Sequence, residues 1–369
     1  MSDDVSRDLD DTLNIKTWQR GWEVEKILSG FGAHIAQAQQ RQLRVREIVR
    51  KQILPSIKSK SRLEGSGVFK VHQQKMKNIF DGLLFPGRVS ALSSTVASHD
   101  SLALGVNQIG MAAVCYGGPL GTFRQTFYRK ELTLRNRDEV NEVIERLKGM
   151  HRREGRRDEM SELFRRGIRA YAERAILLEE VKTEWLMGMG SPCSRDIFYG
   201  LKYPLLLEKS LAMLHKLIKA HKKFVFVAPL LEEQAYLTIG DALNPGEYAI
   251  LHTLQSDCEH LVTLWEYSPD VRDTVLDFVD TCCPDVIVGL FRVSAHAPPR
   301  LFYAHRELAH VAAHIAMADS ITRSERGFPM LLDVAAASCQ GLFGSDSFLG
   351  LVHDAYTRVG ATFHHFGER

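Results

Sequence analysis

The stretch from residue 89 to residue 134 constrains the fold more than any other part of the chain. Residues 89–104, 108–116 and 123–134 are rich in β-branched, aromatic and small apolar side chains, the composition of strands. Gly117-Gly118-Pro119 and Gly121 place a turn between the last two runs. Connections this short join antiparallel neighbours, so a three-stranded meander is expected. The same glycines lack the Gly-Lys-Ser/Thr ending of a nucleotide-binding loop, and a turn is the far better reading.

The elements after the meander fix the fold class. Residues 137–181 read as a long charged helix with a break expected near Gly155, residues 185–187 as a short apolar strand and residues 203–222 as a helix. Residues 224–228 form an apolar run of strand length. Further on, residues 286–293 and 300–305 suggest a strand pair around Pro298-Pro299, residues 311–321 a strand or short helix, and residues 331–359 a helical stretch. Three meander strands, helix, strand, helix, strand is the order of a ribonuclease H-like α/β core, a mixed sheet flanked by helices.

The N-terminal part is different. Residues 1–16 form an acidic tail, expected to be disordered. Residues 17–53 show helical apolar spacing through Trp18, Trp22, Ile27, Phe31 and Ile35. Pro55 is expected to end that helix, with a polar connector at 56–67. Residues 17–88 then form a basic helical region before a core at 89–369. The apolar stripe around Trp18 and Phe31 would either cover the core or dock another subunit.

Charge separates along the same lines. The chain has 47 Lys and Arg against 45 Asp and Glu, a net +2. Residues 41–77 hold 11 of those bases and only Glu47 and Glu64, so this segment is +9 and the remainder −7. Arg41, Arg44, Arg46, Arg50, Lys51, Lys58 and Lys60 are the densest part and suit a surface that tracks DNA phosphates. A solvated helix face accounts for such a run equally well. The arginines from Arg152 to Arg169 alternate with acids and read as ion-paired helix.

No run approaches the ~18 apolar residues of a membrane helix, and the polar start does not resemble an export signal. A cytoplasmic protein is expected. Six cysteines without a C-x-x-C pair are then expected as buried or free thiols rather than a zinc site. His305, His310 and His314 lack the H-E-x-x-H pattern and read as ordinary histidines.

Phosphodiester hydrolases of this topology hold Mg2+ or Mn2+ between carboxylates at strand ends and on the following helix, because hard cations take oxygen ligands. Asp100, Glu173 and Asp196 are the acids so placed, with Asp100 and Glu173 the metal-ligand candidates. At these residues the chain resembles the NurA nucleases, which work with HerA-type hexameric ATPases. His99-Asp100-Ser101 resembles the family's first-strand motif and Glu173 its helix glutamate. Met189-Gly190-Ser191-Pro192 resembles the second Asp-Gly-Ser segment, and Gly327-Phe328-Pro329 to Ala336 its C-terminal Gly-Tyr-Pro and Ala-His block. Asn244-Pro245-Gly246-Glu247-Tyr248 resembles a further Gly-Glu-Arg segment.

Three of those positions depart from the pattern. Met189 stands for an aspartate, and a thioether does not replace a carboxylate on a hard ion. Phe328 lacks the tyrosine hydroxyl, and Ala336 cannot bind metal or move a proton. The resemblance implies a homodimer on an ATPase ring with DNA between, in repair or antiphage defence. The departures imply an eroded nuclease site with a DNA-binding or assembly role. The alternatives are an active Mn2+ nuclease using Asp100, Glu173 and Asp196, and a scaffold without DNA contact.

Overall fold

The computed structural model describes residues 12–18, 24–60, 63–101, 105–128, 159–198, 204–231, 233–264 and 267–363. The acidic tail at 1–11, Trp22, Arg62, the arginines at 152–157 and His364-His365 lie outside the described residues. The chain divides into two compact units, 1–48 and 49–369.

In the first unit, α1 spans Val24–Ile48. Leu28, Phe31, Ile35 and Leu43 along it are exposed, as is Trp18 ahead of it.

The second unit opens with a π-helical turn, Val49–Ile53, and α2, Leu54–Lys60. Pro55 does not end a helix, contrary to expectation. It lies in α2 directly after the π-helical turn, with no non-helical residue between, and the irregular turn before it is where a helix accommodates a residue that lacks an N–H. Residues 56–60 are accordingly helix, and the connector is shorter than expected. Residues 49–88 pack into this second unit, because Val49, Leu54 and Met76 are buried and β1, Gly67–Lys70, pairs with β7, Glu247–Thr253. Residues 49–88 thus fall in the second compact unit.

After α3, Gln73–Ile79, comes the expected meander: β2, Val89–Asp100, β3, Gly105–Cys115, and β4, Gly118–Tyr128. Both pairs are antiparallel, and Tyr116-Gly117 turns between the last two strands. Helix α4, Glu159–Glu179, leads to β5, Trp185–Met189, which pairs parallel with β2. Helix α5, Pro204–His215, extended by a π turn at Lys216–His221, leads to β6, Phe224–Val227, parallel to β5. The order β4-β3-β2-β5-β6 is the expected ribonuclease H-like core.

The remainder widens the sheet to nine strands, order β1-β7-β8-β9-β6-β5-β2-β3-β4. Helix α6, Gln234–Asp241, precedes β7; α7, Gln255–Thr263, and α8, Pro269–Cys282, follow it. Then β8, Val286–Arg292, and β9, Arg300–His305, form the expected hairpin. The ambiguous run at 311–321 is helical, α9 at Ala309–Ser320, and the last stretch is two helices, α10 Met330–Phe343 and α11 Ser345–Arg358.

Two hydrophobic layers sandwich the sheet. Leu92, Ile109, Met111, Leu177, Leu186, Phe224 and Phe226 belong to the layer of α4, α5 and α8. Ala91, Met187, Val225, Ala312, Phe328 and Ala335 belong to the layer of α9 and α10. Gly110 on β3 makes the second layer possible, since a Cβ there would lie 2.2 Å from the Phe343 side chain.

Candidate functional site

Glu173 is positioned by helix period. Ala170, Glu173, Arg174 and Leu177 fall on the sheet-facing side of α4, and Ala170, Arg174 and Leu177 are buried. Leu92, Ser94 and Val96 on β2 point to the same side, because strand residues alternate. The β2 residue facing Glu173 is therefore Ser94, whose hydroxyl donates to Glu173 Oε1. The other carboxylate oxygen, Oε2, accepts from Arg174 Nη1 at 2.7 Å. Arg169 Nε lies 3.7 Å from Oε1, the expected i,i+4 pairing.

Arg174 was not anticipated from sequence, yet it is the hub of the site. Its side chain is only 3% exposed. Besides Glu173, it donates to the carbonyls of Ala170 at 3.0 Å, Pro192 at 3.1 Å and Ser191 at 2.6 Å. Its guanidinium carbon lies 5.5 Å from the Phe226 ring centre. Burial pushes its pKa down, and the adjacent Glu173 charge opposes that shift. A charged residue at an inward helical phase beside Glu173 was the available signal.

The other expected residues whose side chains are described make their contacts elsewhere. Asp100 ends β2, six residues beyond Ser94, a backbone separation of ~20 Å at strand rise; its side chain lies outside the described residues. His99 is buried against Tyr356 and Phe363, at ring separations of 5.8 and 5.3 Å. Asp196 follows β5 and pairs with Arg166 at 3.2 Å. Met189 packs against the α9/α10 layer, on the opposite face of the sheet from Glu173, with Phe328 a member of that layer. Phe328 lies beneath Arg300, at 5.3 Å. Ala336 is half-buried on α10, next to Ala335 of the same layer.

These residues do not fit a hard divalent ion. Both oxygens of Glu173 already accept hydrogen bonds, and a guanidinium supplies its counter-charge. Among the described residues, no group of three His, Cys, Asp or Glu donors includes Glu173.

The basic candidates divide. Arg50 forms a bidentate pair with Glu247, at 2.9 and 3.0 Å, and also donates to Ala242 O at 2.9 Å. Glu247 further accepts from Asn244 N at 2.7 Å. Arg50 is thus committed to the Asn244–Tyr248 segment. Lys58 lines a cleft of about 670 Å3 with Arg50, Leu54, Ser66 and Phe69. Lys51 is exposed, and Lys60 is on α2. Arg41 and Arg44 are exposed and Arg46 half-buried on α1 of the first unit.

His305 ends β9, and His310 and His314 lie on α9. His305 Nδ1 accepts from Glu307 N at 3.3 Å, and His310 Nδ1 lies 2.7 Å from the Tyr248 hydroxyl. Asp319 was missed, although a lone acid at the end of an apolar helix is a visible signal. It is fully buried, accepts from the Tyr116 hydroxyl at 2.7 Å, and caps α10 by accepting from Leu331 N at 2.9 Å. Burial foremost raises its pKa to about 6.

No protein-family model matches the chain, and no curated protein matches it. Similar solved structures include the NurA nuclease from Sulfolobus solfataricus, at 9% identity and a TM-score of 0.47, covering 89% of this chain and 98% of that one. A NurA structure with manganese is similar at 9% identity and a TM-score of 0.42, over 83% of this chain and 94% of that one. The Endonuclease V structure from Bacillus subtilis is similar at 9% identity and a TM-score of 0.30, over 74% and 96%.

Proposed function

We propose that the chain is a NurA-like DNA-processing subunit whose nuclease site is eroded and which binds DNA and a HerA-type hexameric translocase, as a homodimer, in repair or antiphage defence. The observation that carries the reading is the environment of Glu173. A serine faces it from the first core strand, and the buried guanidinium of Arg174 neutralises it. Metal-assisted hydrolysis needs a second carboxylate and an open coordination position there. The departures at Met189, Phe328 and Ala336 point the same way, since Met189 and Phe328 belong to apolar packing.

DNA contact is assigned to Arg41, Arg44, Arg46, Lys51, Lys58 and Lys60. Arg50 is left out because Glu247 already holds it. The exposed apolar residues of α1 suit an ATPase or second-copy interface. A cytoplasmic location belongs to the same proposal; no helix among the described residues is long and apolar enough to cross a membrane.

The test is incubation of the full-length chain with linear duplex DNA and Mn2+ or Mg2+, alone and with a HerA-type ATPase. The expected result is retarded but intact DNA, and co-elution with the ATPase. Degradation that disappears in Glu173→Gln or Asp100→Ala would establish the active nuclease instead. Absence of DNA retardation would leave the scaffold reading.

A further inference from the structure

Three cysteines that are far apart in sequence meet in the core. Cys193 lies in the loop after β5, Cys258 at the end of the first turn of α7, and Cys283 in the 3-10 turn leading into β8. Their sulfurs all lie within 4.8 Å of one another, and the three residues are 1%, 0% and 0% exposed. All are free thiols. Three thiolates around one cation at ~2.3 Å place their sulfurs about 4 Å apart. The trio is therefore close to a ligand shell already and requires sub-ångström closure. A disulfide would require two sulfurs at about 2 Å and would leave the third over.

The donor set fixes the kind of ion. Cys193 directly follows Pro192, whose carbonyl is held by Arg174, and the guanidinium acts electrostatically to favour the Cys193 thiolate. Hydrogen bonding with Cys258, and then burial, nonetheless push the metal-free Cys193 thiol well up. The Cys258 and Cys283 thiols are pushed up as well, so a bound cation must displace protons. No His, Asp or Glu joins the group among the described residues. An all-sulfur donor set selects soft ions and rejects Mg2+ and Mn2+.

We propose that Cys193, Cys258 and Cys283 form a trithiolate site for one thiophilic d10 cation. Cu+ accepts three sulfur ligands as they stand, whereas Zn2+ completes a tetrahedron with a fourth, non-protein ligand. The bound ion ties the loop after β5 to α7 and to the start of β8. That loop also supplies the two carbonyls, of Ser191 and Pro192, that hold Arg174. The site is independent of whether Glu173 supports hydrolysis.

The test uses the reduced full-length chain without oxygen, loaded in parallel with Cu+ or Zn2+, desalted and analysed for metal. The expected result is one ion per chain, ultraviolet thiolate-to-metal absorption for the Cu+ form, and a raised Tm. Cys258→Ser and Cys193→Ser should each weaken retention at least a hundredfold, while Cys115→Ser retains it. Retention of Cu+ alone assigns the trigonal ion, and of Zn2+ alone the tetrahedral one. If the serine variants fail to fold, the Tm rise of the wild-type chain on loading carries the test. The proposal is overturned if neither ion is retained and Tm does not move, if Cys258→Ser retains the ion equally, or if mass analysis finds a disulfide within the trio.

Discussion

Replacing Arg174 with methionine tests whether the guanidinium stands in for a metal at Glu173. Methionine keeps much of the side-chain volume but removes donors to Glu173 Oε2 and the carbonyls of Ala170, Ser191 and Pro192. Removing one partner of a buried pair costs about 3–5 kcal/mol, mostly by leaving the other charge uncompensated. Glu173 is 19% exposed and retains Arg169 at 3.7 Å, so the lower end, about 3 kcal/mol, applies. Unfolding entropy of ~2.1 cal/mol/K per residue over the second unit, 49–369, converts this to a Tm fall of about 4–5 °C. Glu173→Gln keeps the side-chain shape, replaces one carboxylate oxygen with an amide NH2 and removes the charge. The double variant Glu173→Gln, Arg174→Met should therefore cost about 1–2 kcal/mol less than the sum of the singles. Differential scanning calorimetry of the four proteins measures the cycle. A fall below about 1 °C for Arg174→Met, or strictly additive losses, would refute the claim that Arg174 exists to neutralise Glu173.

Asp319 gives a pH dependence of unusual sign. Burial raises its folded pKa to about 6 from an ordinary 3.8, so the folded chain holds this proton longer than the unfolded one. Its contribution is present below pH 4 and lost as pH rises through 6, to the extent of about 3 kcal/mol at 1.36 kcal/mol per pKa unit. Asp319→Asn should remove that fall, read as Tm at pH 4 to 7 relative to the wild type. His314 acts oppositely: burial, with Lys75 and His310, lowers its pKa to about 4, so it is stabilising above pH 6.5 and loses that effect as pH falls through 4. A hydrophobic replacement of His314 should raise stability at pH 4–5 relative to pH 7. Arg50→Gln should lower Tm while leaving the salt slope of DNA binding unchanged, because Arg50 is held by Glu247. Lys58→Gln should instead reduce that slope by about 0.9. Gly110→Ala drives a Cβ to 2.2 Å from Phe343 and should cost about 1–3 kcal/mol in a denaturant melt.

The meander and the two strands after α4 were legible because their signals are local. Each is an apolar run of strand length with a turn beside it, and short connections leave only antiparallel partners. The strand β1 was not legible, since four residues carry little pattern and its partner β7 lies some 180 positions away. Helix α8 was missed although Val271, Val275, Phe278, Val279 and Cys282 recur at helical spacing with Asp270, Arg272, Asp273, Asp277 and Asp280 on the other face, so its signal was present in the sequence.

At the site, the sequence determined that Glu173 sits on the helix after the meander and that Met189, Phe328 and Ala336 cannot do carboxylate, hydroxyl or imidazole chemistry. Those are properties of residue type and order. Tertiary structure alone decided that Ser94, and not His99, faces Glu173, because a strand slip of one residue changes the face and which strand residue meets α4 is non-local. It also decided that Arg50 belongs to Glu247 and that Cys193, Cys258 and Cys283 meet. Each of these depends on distance in space between residues whose separation along the chain carries no trace of it.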